Sequence, residues 1–413
     1  MRKKMISITA ATIIFGCLFS VYAFTAAEKE EPQEIRGIIV DNHDSMWYER
    51  QQQLWLQRAK ANPQDEHAWK EAFEAARYAD MLTEQYGKTE RKQSILNQMK
   101  ENIPNSYTYN MCMYMTEISV PDGQPEEYAK EALRLMPEDT ERKDTEVMIA
   151  YLWTTGKTFA MDRKPNEEQE YLHRFAERLY TSNAYPSYLL RYTYNSLQGI
   201  EDNGIYFVNG DVPGYTSLIL QEAMGIHRDK IVVQVSFLYI DTYRSALCKR
   251  LGIKDFEITK DYSSMENWED VYLEDILEHI ISNSKREAYF FPHGSYPETE
   301  SFMKNLYNEG LVFHYSTKRY DNMSVAKDNV EKRYYLQYLT EPGFVSEEQW
   351  KGSERIQLNY MVMLAPIVKS YRDEGDTVRA NQLARYLSAA VMQTSLSQED
   401  KQQYFNLMES KKR

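Results

Sequence analysis

Apolar residues recur along this chain with two different periods. From Trp47 to Leu197 the period is helical. Trp47–Ala61 sets Leu54, Trp55 and Arg58 at helical spacing and ends at Asn62-Pro63. Glu66–Tyr78 then sets Trp69, Phe73, Ala76 and Arg77 on or near one face. Helices are predicted again over Thr89–Asn102, stopped by Pro104, and over Ser106–Glu117. After a Pro121-Asp122-Gly123 turn, Glu126–Met136 continues to Pro137. Asn166–Thr181 and Tyr185–Leu197 carry the helices to a turn at Asp202-Asn203-Gly204.

From Gly204 the period changes. The apolar runs Ile205–Val208, Ile231–Phe237, Glu287–Phe291 and Leu311–Tyr315 read as strands. Between them lie helix candidates at Tyr215–Met224, Thr242–Leu251, Trp268–Asn283 and Pro297–Glu309. Strands alternating with helices of this length predict a parallel sheet with right-handed crossovers, a small Rossmann-like unit. Asp321–Tyr338 is a polar, Tyr-rich connection, and helices return at Glu354–Asp373, Thr377–Gln393 and Gln398–Lys411.

The helical part repeats a figure: helix end, Pro, polar residues, then an aromatic- or Met-bearing helix. It occurs at NPQDEHAWKEAF, IPNSYTYNMCM and MPEDTERKDTEVMIAYL. Pro63, Pro104 and Pro137 are spaced 41 and 33 residues apart, near the ~34-residue tetratricopeptide period. Tetratricopeptide-like helix pairs are one reading; an ordinary helical domain with Pro in its loops is the other. The expected class is mostly α with an inserted α/β module. The expected division is a leader at 1–27, a linker at 28–45, a helical repeat region at 46–202, the α/β module at 203–318 and a C-terminal helical region at 319–413.

Composition alters this picture at the N-terminus. Arg2, Lys3 and Lys4 precede an apolar run from Ile6 to Val21 and small residues before an acidic stretch. That is the layout of a cleaved secretory signal, which implies export to the periplasm. A lipoprotein through Cys17 and an uncleaved anchor are the alternatives, and either would be the only membrane contact. The formal charge of −13 argues against nucleic acid as a partner. Cys112 and Cys248 make no disulfide framework and have no metal-ligand neighbour at the usual spacing; they read as small buried hydrophobes. The 33 tyrosines suit a contact surface.

Candidate chemistry sits beyond the carboxyl ends of the predicted strands, where open α/β sheets bind ligands. Asn209 and Asp211 of the Asn-Gly-Asp turn would hold a hydroxylated ligand, Tyr215 would stack on a sugar face, and Asp241 with His293 would exchange a proton. The competing reading makes Asn-Gly-Asp a plain turn with Asp211 capping the next helix. There is no Gly-rich dinucleotide fingerprint, no phosphate loop and no Gly-x-Ser-x-Gly elbow. The seven histidines include no i, i+4 pair, so neither a metal nor a cofactor is expected.

IYFVNGDVPGYTSLILQEAMGIHRDKIVVQVSFLYIDTYRSAL, with NLYNEGLVFHYS, resembles the soluble exported C-terminal region of bacterial polytopic proteins distantly related to protein O-mannosyltransferases. The resemblance spans about 204–391, and 47–186 is similar to exported tetratricopeptide proteins. The membrane-embedded transferase half has no counterpart in these 413 residues, so sugar transfer seated there is not implied. Where that family usually continues with a second Asn-Asp pair and a Thr, this chain has Val212-Pro213-Gly214-Tyr215. The leading expectation is therefore a non-catalytic envelope scaffold binding envelope proteins, such as membrane glycosylation or export machinery. The alternative is a glycan-binding or glycan-modifying module using the edge at 209–215.

Overall fold

A computed structural model describes residues 30–36, 43–85, 87–120, 123–155, 167–262, 264–265, 267–341 and 353–409. The predicted leader, with Cys17, lies outside these residues. The chain forms two compact units, Met1–Asp139 and Thr140–Arg413. The helices at 142–198 therefore belong to the unit that contains the sheet.

The first unit is built from α1 (Ser45–Ala61), α2 (Glu66–Leu82), α3 (Glu90–Asn102), α4 (Tyr107–Glu117) and α5 (Pro125–Leu135). Four starts are fixed by side-chain caps: Asp44, Asp65, Thr89 and Ser106 each accept from an amide three residues on. Ala68, Ala72, Ala75, Ala76 and Ala79 are fully buried on α2, so neighbouring backbones approach closely. α2 packs on α1, α3 and α4, and α4 packs on α3 and α5. Trp55, Trp69, Phe73, Ile95 and Met99 fill the space between them. Residues of the predicted linker are tied to this core. The Gln33 N–H donates to Gln51 Oε1 at 2.7 Å and the buried Ile35 N–H to Glu71 Oε2 at 2.6 Å.

The second unit opens with α6 (Arg142–Thr154), α7 (Glu167–Thr181) and α8 (Ser187–Gln198). β1 (Ile205–Val208) leads into α9 (Asp211–Leu218), which ends in a π turn at Ile219–Ala223. β2 (Ile231–Gln234), α10 (Asp241–Leu251), α11 (Trp268–Asn283), β3 (Ala288–Phe290), α12 (Glu300–Met303), β4 (Leu306–Asn308) and β5 (Phe313–Tyr315) follow. α13 (Asn322–Asp328), α14 (Leu358–Asp373), α15 (Thr377–Met392) and α16 (Gln398–Asn406) complete it.

The five strands form one sheet in the order β2-β1-β3-β5-β4. β2, β1 and β3 are parallel, with Phe207 beside Val233 and Phe290. β5 and β4 are antiparallel, so the expected all-parallel sheet is instead mixed. The helix predicted over Pro297–Glu309 shrinks to one turn, and β4 takes its second half. The cause is a tight reversal: Asn308 Oδ1 accepts from the Gly310 N–H at 2.8 Å, returning the chain as β5. The second predicted strand also ends early, at Gln234, and Val235–Tyr239 is a 3₁₀ turn.

Successive β1 residues face opposite layers. Ile205 and Phe207 join Leu247, Ile276 and Phe290 in one core, while Tyr206 and Val208 join Tyr192, Tyr289, Tyr360 and Leu364 in another. Many tyrosines are thus core residues: Tyr48, Tyr188, Tyr192, Tyr206 and Tyr360 are all fully buried. Tyrosine content here reflects packing more than an exposed contact surface. Cys112 and Cys248 are buried free thiols. Among the described residues no helix is long and apolar enough to cross a membrane.

Candidate functional site

In the strand order β2-β1-β3 the connections leave β1 for one side and return to the other, which makes the carboxyl ends of β1 and β3 a switch point, the place where open α/β sheets bind ligands. β1 delivers Asn209, Gly210 and Asp211 there, and β3 delivers Phe291-Pro292-His293-Gly294. Gly210 has φ 93°, a conformation that side chains resist, and so turns the strand directly into α9. A Cβ placed on Gly294 would lie 3.5 Å from Asn209 Nδ2, so the two strand-end turns are in contact.

His293 is exposed and held from α14: Asn359 Oδ1 lies 2.8 Å from its Nε2. The Asn359 Nδ2 donates to the buried Tyr192 hydroxyl at 3.2 Å. The amide thus turns its oxygen toward the imidazole and ties the ring to the buried Tyr192. Asn359 is a positioning residue that sequence patterns missed. Its place inside an apolar-periodic helix gave no signal of this role.

The remaining expectations land elsewhere. Tyr215 is buried, its ring stacked on Trp153 at 5.3 Å and its hydroxyl donating to the Glu146 carbonyl at 3.0 Å. A ring packed in this way is a wall of the core and offers no open face for a sugar. Asp241 is exposed at the start of α10 and paired with Arg244 Nη2 at 2.5 Å. Asp241 and His293 form no hydrogen bond with each other among the described residues; each is engaged by its own partner. Asp211 occupies the first turn of α9 and makes no side-chain cap.

Asp211 instead joins a polar cluster that includes Glu146 of α6. Glu146 Oε1 accepts from the Tyr185 hydroxyl at 2.5 Å and lies 3.5 Å from Arg142 Nε. Burial raises the Glu146 carboxyl to about 7, outweighing the pull of Arg142 and the hydrogen bond from Tyr185; the Asp211 charge adds to the rise. Asp211 is exposed, yet burial raises its carboxyl too, against the pull of Arg142. Two carboxyl groups thus share one guanidinium near the start of α9, and one of them titrates close to neutrality. Such a group can hold or release a proton at working pH.

A second cluster braces the antiparallel edge. His314 on β5 places Nδ1 3.0 Å from Glu309 Oε1 and Nε2 2.8 Å from Glu287 Oε2, and its ring stacks on Tyr289 at 4.8 Å. The Tyr320 hydroxyl donates to the same Glu309 oxygen at 2.5 Å. Burial works against the imidazolium, but the hydrogen bonds and charges of Glu309 and Glu287 outweigh it and raise His314 above its usual value. With a carboxylate at each nitrogen, this histidine donates to both when it is protonated. It has a structural task and no free nitrogen for catalysis.

Comparison of the chain with protein-family models, with curated proteins and with solved structures finds no match.

Proposed function

We propose that this protein is an exported, non-catalytic scaffold of the cell envelope, with tetratricopeptide-like helices in its first unit holding a protein partner and a Rossmann-like module in its second. The observation that carries the reading is the packing of α1–α5. Each helix lies on its neighbour in sequence, and α2 also lies on α4, the arrangement expected of stacked helix pairs. Export rests on the N-terminal charge and hydropathy pattern. Exposed Met46, Leu82 and Ile118 are the apolar positions a partner would cover on this unit. Photo-cross-linking of the full chain in native envelope tests the reading. One discrete envelope protein should be captured, and replacing Met46, Leu82 and Ile118 with Lys should abolish the capture. Cross-linking that yields no discrete partner, or that ignores all three changes, would overturn it.

A second reading, a glycan-binding module, is favoured by one arrangement: exposed His293, held by Asn359, on the strand-end turn that touches Asn209. The Asp211→Ala/His293→Ala double variant separates the two. Partner capture should survive it if the scaffold reading holds, whereas glycan retention on an affinity column would be lost if the second is right.

A further inference from the structure

The second unit also carries a cleft on the β2 side of the sheet that neither reading uses. It encloses about 220 Å³ between α7, α9 with its π turn, β2 and α10, and is lined by Trp153, Gly214, Arg228, Lys230, Gln234 and Arg250 among others. It adjoins a cavity of about 630 Å³, with which it shares Gln169, Gln221 and Arg228.

Three features give the cleft a chemistry. Its cations outnumber its carboxylates: Arg228, Lys230 and Arg250 face a single acid, Glu222, in a chain of net charge −13. Lys230 is taken by Asp229 at 3.1 Å and Asp202 at 3.8 Å, and Arg228 donates to the Gln221 and Glu222 carbonyls at 2.7 and 3.0 Å. Half-buried Arg250 has no ion pair among the described residues. The second feature is Gln234, 6% exposed, whose Nε2 donates to the Gly210 carbonyl at 3.1 Å. That bond fixes the amide orientation, and the buried Oε1 is left without a donor. Native proteins rarely leave a buried acceptor unmatched. The third is steric. A Cβ on Gly214 would lie 2.0 Å from Gln234 Nε2, so glycine is what lets α9 pass this amide.

We propose that the cleft binds a small hydroxylated anion, a sugar phosphate or sugar acid. Its anionic group sits on Arg250 and Arg228, and one of its hydroxyls donates to Gln234 Oε1. The volume lies below the roughly 300–1,000 Å³ of pockets for drug-sized ligands, which suits a molecule of this size. The site is independent of the scaffold reading and stands or falls separately.

Calorimetric titration of the purified full chain with glucose 6-phosphate, glucuronate, inorganic phosphate and glucose tests it. At least one hydroxylated anion should bind about tenfold or more tighter than both phosphate and glucose. Which of the two it is tells phosphate from carboxylate. Arg250→Gln should weaken that binding about tenfold or more, and Gly214→Ala should remove it by displacing the Gln234 amide. Alanine favours the helix but crowds the Gln234 amide, so Gly214→Ala counts only if thermal melting shows that it keeps its fold; if it does not, Arg250→Gln decides alone. Binding no tighter than that of phosphate, no binding of either hydroxylated anion, or affinities unmoved by Arg250→Gln would each overturn the proposal.

Discussion

Glu146 and Glu309 are both largely shielded carboxyls of the second unit, and they handle their charge in opposite ways. Glu309 is matched by an imidazolium and a tyrosine hydroxyl, and His314 is in turn held by Glu287. Glu146 has one tyrosine hydroxyl and an arginine at 3.5 Å, and it shares that arginine with Asp211. The matched acid is bound into a brace. The under-matched acid is pushed up to about 7. Burial is what raises Glu146, and an arginine at 3.5 Å that also acts on Asp211 does not offset it.

The largest test of this contrast removes the matched acid. Glu309→Ala leaves His314 and Tyr320 without their shared acceptor and should cost about 3 kcal/mol in urea denaturation at pH 6. The pH dependence has a definite sign. A histidine raised in the folded state contributes stability that is complete below its unfolded value near 6.5 and is lost as pH rises through the folded value. The penalty of Glu309→Ala should therefore shrink on the alkaline side. An equal penalty at pH 6 and pH 9.5 would show that the imidazolium is not what Glu309 holds.

Removing the under-matched acid should do the reverse. A carboxyl raised from 4.5 to about 7 makes the folded state bind the extra proton, so stability falls as pH rises between those values and is level above them. Glu146→Gln keeps an acceptor for Tyr185 and deletes the titration. It should stabilise the protein by about 2 kcal/mol at pH 8 and by nothing measurable at pH 4. A destabilised variant at pH 8 would mean that Arg142 and Tyr185 already satisfy the charge.

These two clusters also mark how far the sequence could be read. β1 and its Asn-Gly-Asp turn were legible because four consecutive apolar residues end at a turn dipeptide. β4 was not, because Leu306-Tyr307-Asn308 follows a helical turn, and only pairing with β5 makes it a strand. The same limit applies to the site. Asn209 and His293 could be placed at strand ends from local pattern alone. Glu146 could not, because its partners Tyr185 and Asp211 arrive from two other elements. Asn359 depends likewise on Tyr192, which lies on α8. Local periodicity identifies elements, but a shielded polar cluster is a property of tertiary packing.

The smallest effect is the most specific to the Glu146 cluster. Asp211 touches Glu146 only through its charge, since no hydrogen bond joins the two carboxyls among the described residues. Asp211→Asn removes that charge and its pull on Arg142. The Glu146 midpoint, followed by carboxyl-carbon NMR titration, should drop below about 7. Because Asp211 is exposed, the drop should be a few tenths of a pH unit at low salt and fade toward 1 M salt, where screening reaches about 3 Å. The charges that act on His314 are those of Glu309 and Glu287, and Asp211 is not among them, so the same substitution should leave the His314 titration unmoved. A shift at His314 would mean that the two clusters are coupled through the sheet, and the contrast between them would have to be redrawn as one network.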